Sequence, residues 1–564
     1  MASIAILATL LFIPNIISAQ HVVKTTDELI ALLAEEKDQG TILLDGDLFH
    51  IAGVDVKAGG IIKPYPGRKP VLIGFHQKVE RGSRIINNNG NWTVPIESYG
   101  YSQIYFLDEN LEPIPYSCHI DGKKGFEIVE EQIQLINKED RIVSIPIPQG
   151  FEYLKNRDKS FFKNFSIKLS YWFLGMTFYQ IYSDSSFLYG TIDNKYNLDL
   201  LLIRPWAKVR IEFFNLPRTG DGIFLDGDDV LNVPSKYSLV RVCTTPPILN
   251  LVGNMDLSFV GISFTGANGN SISLQGSNKH FKDCVIRNCG SGIVASKGSL
   301  SNCSVERCLI ENLYNNVAIN LENVDKAVVN NNVIRHTGTL MKGGPVITVG
   351  GLNFLVNNNS VTDFSYIGIC ASKSKEFLPG TMTGVIRDNI VDNIANYGNR
   401  ESQLTDGGGI YVITHTDGVV IENNIIRNIG YDGGELWGIY LDDGAYNCTV
   451  RHNLVYNLWP GQYVITARYV DECDRSCMNN VIENNIFLGP CKIAGNRKGF
   501  GNKTIIRNNY IDGNLNTQGD EYVSLEGNKH VSTAVRKDGK VVFCRGDRFK
   551  KRGFTRSIRR LIKR

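Results

Sequence analysis

No Asp, Glu, Lys or Arg precedes Lys24, and the uncharged opening "MASIAILATLLFIPNIISA" ends in small residues. That form is expected of a secretory signal cleaved near Ala19-Gln20. An uncleaved anchor helix is the competing reading, because the run just reaches spanning length and lacks a basic n-region. Export to a secreted or periplasmic location is the expectation. Cysteine is absent before Cys118, which excludes a lipid-modified cysteine directly after that segment. No later stretch is apolar enough to span a membrane, so the mature chain is expected to have no transmembrane segment. Helical periodicity is lacking too: no window of about twelve residues keeps a 3.6 spacing, which argues against helical repeats. Gly-rich pieces such as "GGG" never follow a strand and open a helix as a dinucleotide site requires.

What is present is glycine, at 55 of 564 residues, together with abundant asparagine, 43% hydrophobic residues and 21% charged ones. Disorder is excluded by that balance, and the Gly/Asn bias favours turns and left-handed positions over long helices. A repeat runs through the middle of the chain. A polar residue or cysteine followed by two mostly apolar positions recurs as "CVI" at 284, "CLI" at 308, "NVI" at 332, "NSV" at 359, "NIV" at 389, "NII" at 424, "NLV" at 453, "NIF" at 485 and "NYI" at 509. The spacings are 24, 24, 27, 30, 35, 29, 32 and 24 residues, and "VGI" at 260 adds one more at 24. A fixed minimum with variable insertions is the signature of a coil of short strands that gains length only in outward loops. Between these triplets lie short alternating runs: "SGIVAS", "VAINLE", "IGICAS", "GGIYVIT" and "WGIYLDD". The asparagine before each apolar pair is expected to tolerate the tight bend and to stack on its neighbours through side-chain amides.

Over roughly residues 250–515 these "NNxI" and "GIxL" patterns resemble the right-handed parallel β-helix proteins. The expected fold is therefore all-β: a right-handed parallel β-helix with an N-terminal capping helix and an inserted β-sandwich-like domain. "TTDELIALLAEEKDQG" opens with Thr25 and has Glu28 three residues later, a capping box that starts an amphipathic helix able to cover the open end of the coil. "GIIKPYPGRKPVLIG", residues 60–74, returns to strand-like runs. From about 76 to 236 the period vanishes and aromatics rise, as in "KLSYWFLGMTFYQIY"; an insert at this place resembles that of several β-helix glycosidases. The expected division is 1–19 signal, 20–75 cap and first turn, 76–236 insert, 237–515 β-helix and 516–564 C-terminal segment.

Twelve cysteines in an exported chain invite a disulfide reading. Cys284, Cys289, Cys303 and Cys308 instead fall within the repeat, where a small buried hydrophobe suits a stacked interior. Cys473 and Cys477 in "DECDRSC" are the better disulfide candidates. A metal site there lacks two further ligands, and none is expected. From Cys544 to Arg564 the tail holds ten Lys or Arg and one Asp. It could meet an anionic surface or be merely solvated, and the aromatic interleaving of a nucleic-acid binder is missing.

Aligning "TDGGGIYVITHT" with "GELWGIYLDDG" places Ile410 on Ile439, Tyr411 on Tyr440 and Asp406 on Glu435. Period-two alternation turns Ile410, Val412, Ile439 and Leu441 inward, and Tyr411, Tyr440, Ile413 and Asp442 outward. Paired carboxyls on one face suit glycoside cleavage, which needs one group to protonate the leaving oxygen and another to attack or to activate water. Neighbouring turns start about 4.8 Å apart, close to the spacing of about 5–5.5 Å in retaining enzymes. Asp406 with Glu435 fits that geometry. The resemblance to β-helix glycosidases, including xylosidase and fucosidase groups, implies Asp406 with Asp442 or Asp443 instead. Tyr411, Tyr440 and Trp437 offer flat faces for sugar rings, and His415, Lys373 and Arg468 are further candidates for substrate contact. The expected activity is a secreted glycoside hydrolase acting on a poly- or oligosaccharide without a cofactor. The alternatives are a polysaccharide lyase with Lys373, Arg468 or Tyr440 as base and Ca²⁺ on the substrate carboxylate, or a non-catalytic glycan-binding protein.

Overall fold

A computed structural model describes residues 20–545 apart from interior stretches, chiefly 83–90, 96–104, 115–127, 193–207, 215–223, 373–381, 395–405, 431–434, 443–444, 468–478 and 495–502, and shorter ones such as 414–415. The segment 1–19, Cys473, Cys477 and the tail 546–564 lie outside the described residues. Three long parallel sheets of fifteen, thirteen and twelve strands make up the coil, a right-handed parallel β-helix as expected. One turn contributes a strand to each in order, for example Met382–Arg387, Ile390–Ile394 and Gly407–Val412, before Thr416–Glu422 begins the next. Inward side chains of all three sheets form one buried cluster reaching from Val23 to Val523.

The asparagine doublets explain the corner. In each "NN" the first residue makes the bend: Asn331, Asn358, Asn423, Asn484 and Asn508 have φ of 57, 52, 58, 56 and 55°. The second makes the bonds. Backbone N and Nδ2 of Asn389 both donate to Oδ1 of Asn424 at 3.0 Å, and Asn424 donates in the same way to Asn453. Nδ2 of Asn424 also reaches the Ile386 carbonyl at 3.0 Å. The ladder runs on through Asn485 and Asn509 to Asn528, one rung beyond the recognised repeats. The expected amide stacking is present, and the bend falls one residue earlier than expected. Cys284 and Cys308 hold the earlier rungs as buried free thiols, like Cys289 and Cys303.

At the start, Thr25 caps the helix Thr26–Ala34 through the expected reciprocal box with Glu28. Leu29 and Leu33 enter the coil's core cluster, closing its end. The helix stops at Ala34 because the chain turns into the strand Asp38–Leu44. Strands Gly59–Pro64 and Val71–Ile73 complete the first turn. They pair directly with Leu257–Val260 and Ser263–Thr265, across everything between. That intervening chain is an antiparallel insert whose ends zip together, Gln77–Glu80 against Leu239–Cys243, and whose largest sheet has seven strands. At the far end, Val523–Glu526 and Lys529–His530 continue two of the coil's sheets past residue 515. Among the described residues no helix is long and apolar enough to cross a membrane.

Candidate active site

Gly-Ile-Tyr recurs for reasons that are two-thirds structural. Gly368, Gly409 and Gly438 stack at the same position, where an added Cβ would lie 2.7 Å from Val391 Cγ1, 2.5 Å from Ile426 Cγ2 and 2.4 Å from Val455 Cγ1. The strand therefore lies too close to the neighbouring sheet for any side chain. Ile410 pairs with Ile439 inside the core, and Tyr411 pairs with Tyr440 on the outer side, in the register expected. Only the tyrosine is left to chemistry.

That outer side is closed off from water. Tyr440 is 0% exposed, Asp442 4%, Tyr411 6% and Asp406 8%, whereas alternation alone would leave such side chains solvated. The rings of Tyr411 and Tyr440 lie 4.8 Å apart at 54°, and Trp437 packs on Tyr440 at 4.2 Å. Tyr440 thus has no face to offer a sugar ring and instead supports its neighbours. Trp437, half-buried, also packs on the core cluster.

The Tyr411 hydroxyl donates to Asp442 Oδ2 at 2.5 Å. Burial, followed by the nearby charges of Asp442 and Asp406, holds this phenol well above its usual range. Asp442 therefore holds this hydroxyl directly, and the charge of Asp406 acts on it through space, although seven residues of strand separate the two acids in a flat register. The backbone at Asp406 is unlike the rest of the coil. Among the described non-glycine residues there, every other positive φ belongs to one of three corner columns, whereas Asp406, with φ of 64°, stands alone before a strand of the twelve-stranded sheet. Its N–H donates to Glu435 O and its carbonyl accepts from Tyr366 Oη, both at 2.8 Å, which fixes the left-handed turn from two sides. Left-handed aspartate carries strain of order 1 kcal/mol, the kind that concentrates at functional positions. Glu435 does stack beside Asp406, but its side chain is exposed while that of Asp406 is buried, so the two carboxyls meet opposite environments. Asp443, His415, Lys373 and Arg468 lie outside the described residues.

Three residues missed in the sequence extend the site. Leu321, Val349, Ala371, Val412 and Leu441 are register partners on successive turns, so the residues after them form a column: Glu322, Gly350, Ser372, Ile413 and Asp442. Ser372 Oγ donates to Glu322 Oε1 at 3.2 Å across Gly350. A Cβ on Gly350 would come within 2.2 Å of Glu322 O and 1.8 Å of Ser372 O. Burial pushes the Glu322 carboxyl up from the usual glutamate range, against the Ser372 hydrogen bond that lowers it. Cys370, which pairs with Tyr411, has its thiol pushed up by burial and then by the charges of Glu322 and Asp442. The signal was available, since "VAINLE", "IGICAS" and "WGIYLDD" carry Glu322, Ser372 and Asp442 at one aligned position. Among the described residues no group of three or more His, Cys, Asp or Glu could hold a metal ion.

No protein-family model matches the chain, and no curated protein matches it. Solved structures with a similar chain trace include a glycoside hydrolase, at 12% identity and a TM-score of 0.49, covering 87% of this chain and 88% of that one. An alginate lyase from Paenibacillus gives 13% and 0.28, covering 48% of this chain and 92% of that one. The catalytic domain of a GH87 α-1,3-glucanase gives 11% and 0.26, covering 80% and 97%. At such identities and scores, the chemistry has to be read from this chain's own residues.

Proposed function

We propose that the protein is a carbohydrate-active enzyme of the hydrolase kind, cleaving glycosidic bonds on the outer side of the twelve-stranded sheet with Asp406 and Asp442. The observation that carries this reading is the Tyr411–Asp442 hydrogen bond in a buried wall that also holds Asp406. Two carboxyls in a nearly dry wall, one oriented by a fixed donor, can attack an anomeric carbon or activate a water for that attack. Burial also strengthens every charge effect in such a wall. A lyase needs a base that is deprotonated at working pH. Of the bases named for a lyase, the fully buried Tyr440 cannot reach a substrate proton, and Lys373 and Arg468 lie outside the described residues.

The test is a screen of the exported form of the chain against plant and host glycans and aryl glycosides, following reducing sugar and ultraviolet absorbance together, with Asp406→Asn and Asp442→Asn alongside. Sugar release without new absorbance, lost in both variants, is the expected result. Absorbing, unsaturated products would establish a lyase in its place. Glycan binding that survives both substitutions, with no product, would leave a binding protein.

A further inference from the structure

In the insert's seven-stranded sheet, Leu174–Ser183 and Phe187–Ile192 form a hairpin with one face in the core. Phe178 lies opposite Ile192 there, and both are buried, as is Leu188. Strict alternation from Phe178 would carry Tyr182 into the same core. It does not, because the register shifts between Tyr179 and Tyr182, where Gln180 has φ of 52°. The extra residue turns Ile181 inward, at 2% exposed, and puts Tyr182 on the outer face beside its cross-strand partner Tyr189, at 36% exposed. A left-handed glutamine lacks the local side-chain bonding that eases asparagine or aspartate there, so the fold accepts strain to keep this ring in solvent. We propose that this outer face is a glycan-binding site separate from the Asp406–Asp442 wall, in which a sugar ring of a polysaccharide stacks on the Tyr182–Tyr189 pair and hydrogen-bonds to Asp184. The inference goes beyond the hydrolase reading and does not depend on it, because binding is read without cleavage.

The two tyrosine rings lie 5.1 Å apart at 15°, and Phe187, two residues before Tyr189, tilts against it at 6.3 Å. Asp184, in the hairpin tip, accepts from Tyr189 Oη and from the Ser186 and Phe187 N–H groups, all at 2.7 Å. The Tyr189 bond, and then the two backbone bonds, hold its carboxyl below the usual aspartate range, so an exposed anion with lone pairs to spare stands beside the rings. The tip is braced from outside the hairpin. The Asn156 N–H donates to the Asp184 carbonyl at 3.0 Å, and the Ser183 N–H to the Arg157 carbonyl at 2.8 Å. Rings and acceptor are thus fixed before a ligand arrives, which lowers the ordering cost of binding. Lys159 is exposed and holds its ammonium 5.8 Å from the centre of the Tyr182 ring, a contact at the weak end of its kind that an incoming ring can displace. Size selects the ligand. Three rings offer far less than the roughly 800 Å² that a stable protein interface takes from each partner. Flat faces with a polar edge instead match a sugar ring, which is apolar on its face and hydroxylated round its rim.

The experiment is affinity electrophoresis of the full chain in gels holding xylan, mixed-linkage glucan, galactomannan, dextran or alginate, with Tyr182→Ala, Tyr182→Trp and Asp406→Asn beside wild type. At least one of these polymers is expected to retard wild type, and to retard Tyr182→Trp and Asp406→Asn to a similar degree. Tyr182→Ala should bind that polymer about tenfold or more weakly, having lost one ring face. Because Tyr182 is exposed, its variants should melt with wild type, and Tyr182→Ala should match wild type on small aryl glycosides. A wild type that no polymer retards, or a Tyr182→Ala retarded as strongly as wild type, would overturn the site. Retardation lost in Asp406→Asn and kept in Tyr182→Ala would place polymer binding in the Asp406–Asp442 wall instead. A wild type that binds a polymer through Tyr182 yet cleaves nothing would overturn the hydrolase reading and keep this site.

Discussion

Tyr411 is the side chain on which the candidate site turns, since it donates to one acid and lies in the field of the other. A buried hydrogen bond to a charged group contributes about 1.5–3 kcal/mol. Tyr411→Phe keeps the ring and its packing on Tyr440 but releases Asp442, so sugar release should fall by roughly 10–100-fold and the melting temperature should drop by the loss of that one bond. Wild-type activity in that variant would remove Tyr411 from the site. Glu322 gives a pH prediction of opposite sign to the usual carboxylate. Its folded pKa is raised above the ordinary 4.5, so the folded state binds more protons, and the protein loses stability as pH rises from 4.5 through the raised value. Glu322→Gln should therefore be more stable than wild type at neutral pH and equal to it well below 4.5. Parallel melting curves at all pH values would contradict the burial of this acid. The Tyr411/Tyr440 register could be read from sequence because both copies sit in strands of the same length and phase. The Glu322–Ser372 contact could not, because it bridges residues fifty apart across a rung that only the absence of a side chain at Gly350 makes passable.

At the scale of one turn, the asparagine doublet divides bend from bond, and the two halves should respond differently to substitution. Asn424 is completely buried and links Asn389, Ile386 and Asn453. Asn424→Ala leaves several buried backbone and amide groups without partners, at a cost of about 1–3 kcal/mol for each. Asn423 stands at φ 58° outside that ladder, so Asn423→Ala should cost only the left-handed penalty of roughly 1–2 kcal/mol, and Asn423→Gly less still. Urea titrations at constant slope would rank them, and an Asn424→Ala no worse than Asn423→Ala would show that the ladder contributes little. The doublets announced the coil because stacking demands the same amide at every turn. They misplaced the bend by one residue because sequence alone does not say which of two adjacent asparagines is left-handed. Burial of the outer acids was equally hidden, since period-two alternation reports which way a side chain points and not what lies over it.

The whole molecule is a coil interrupted once, and the interruption is closed at its root. Glu80 and Leu239 are direct partners in an antiparallel pair, and the Arg81 N–H donates to the Ser238 carbonyl at 2.8 Å, so the chain leaves and re-enters the coil through a ready-made hairpin stem. The coil pairs across that stem, Ile62 with Phe259 and Leu72 with Phe264, without help from the intervening residues. A few contacts do tie the insert to the coil: Asn288 Nδ2 to the Leu111 carbonyl at 2.9 Å, Arg287 to Glu112 at 3.7 Å, and Leu107 and Cys243 packed with Tyr314. Stability in a solenoid is mostly a sum over neighbouring turns, so losing one docked module should cost a few of these contacts and not the fold. Replacing residues 82–237 with Asn-Gly, a two-residue turn suited to joining antiparallel strands, should give a protein that folds with the β signature of the parent and melts as one unit at a somewhat lower temperature. The acids at 406 and 442 and the column from Glu322 lie on later turns, so sugar release from small aryl glycosides should persist. A shortened chain that fails to fold would show that the insert is part of the coil's foundation, and one that folds but acts on no small substrate would place the insert in the site itself.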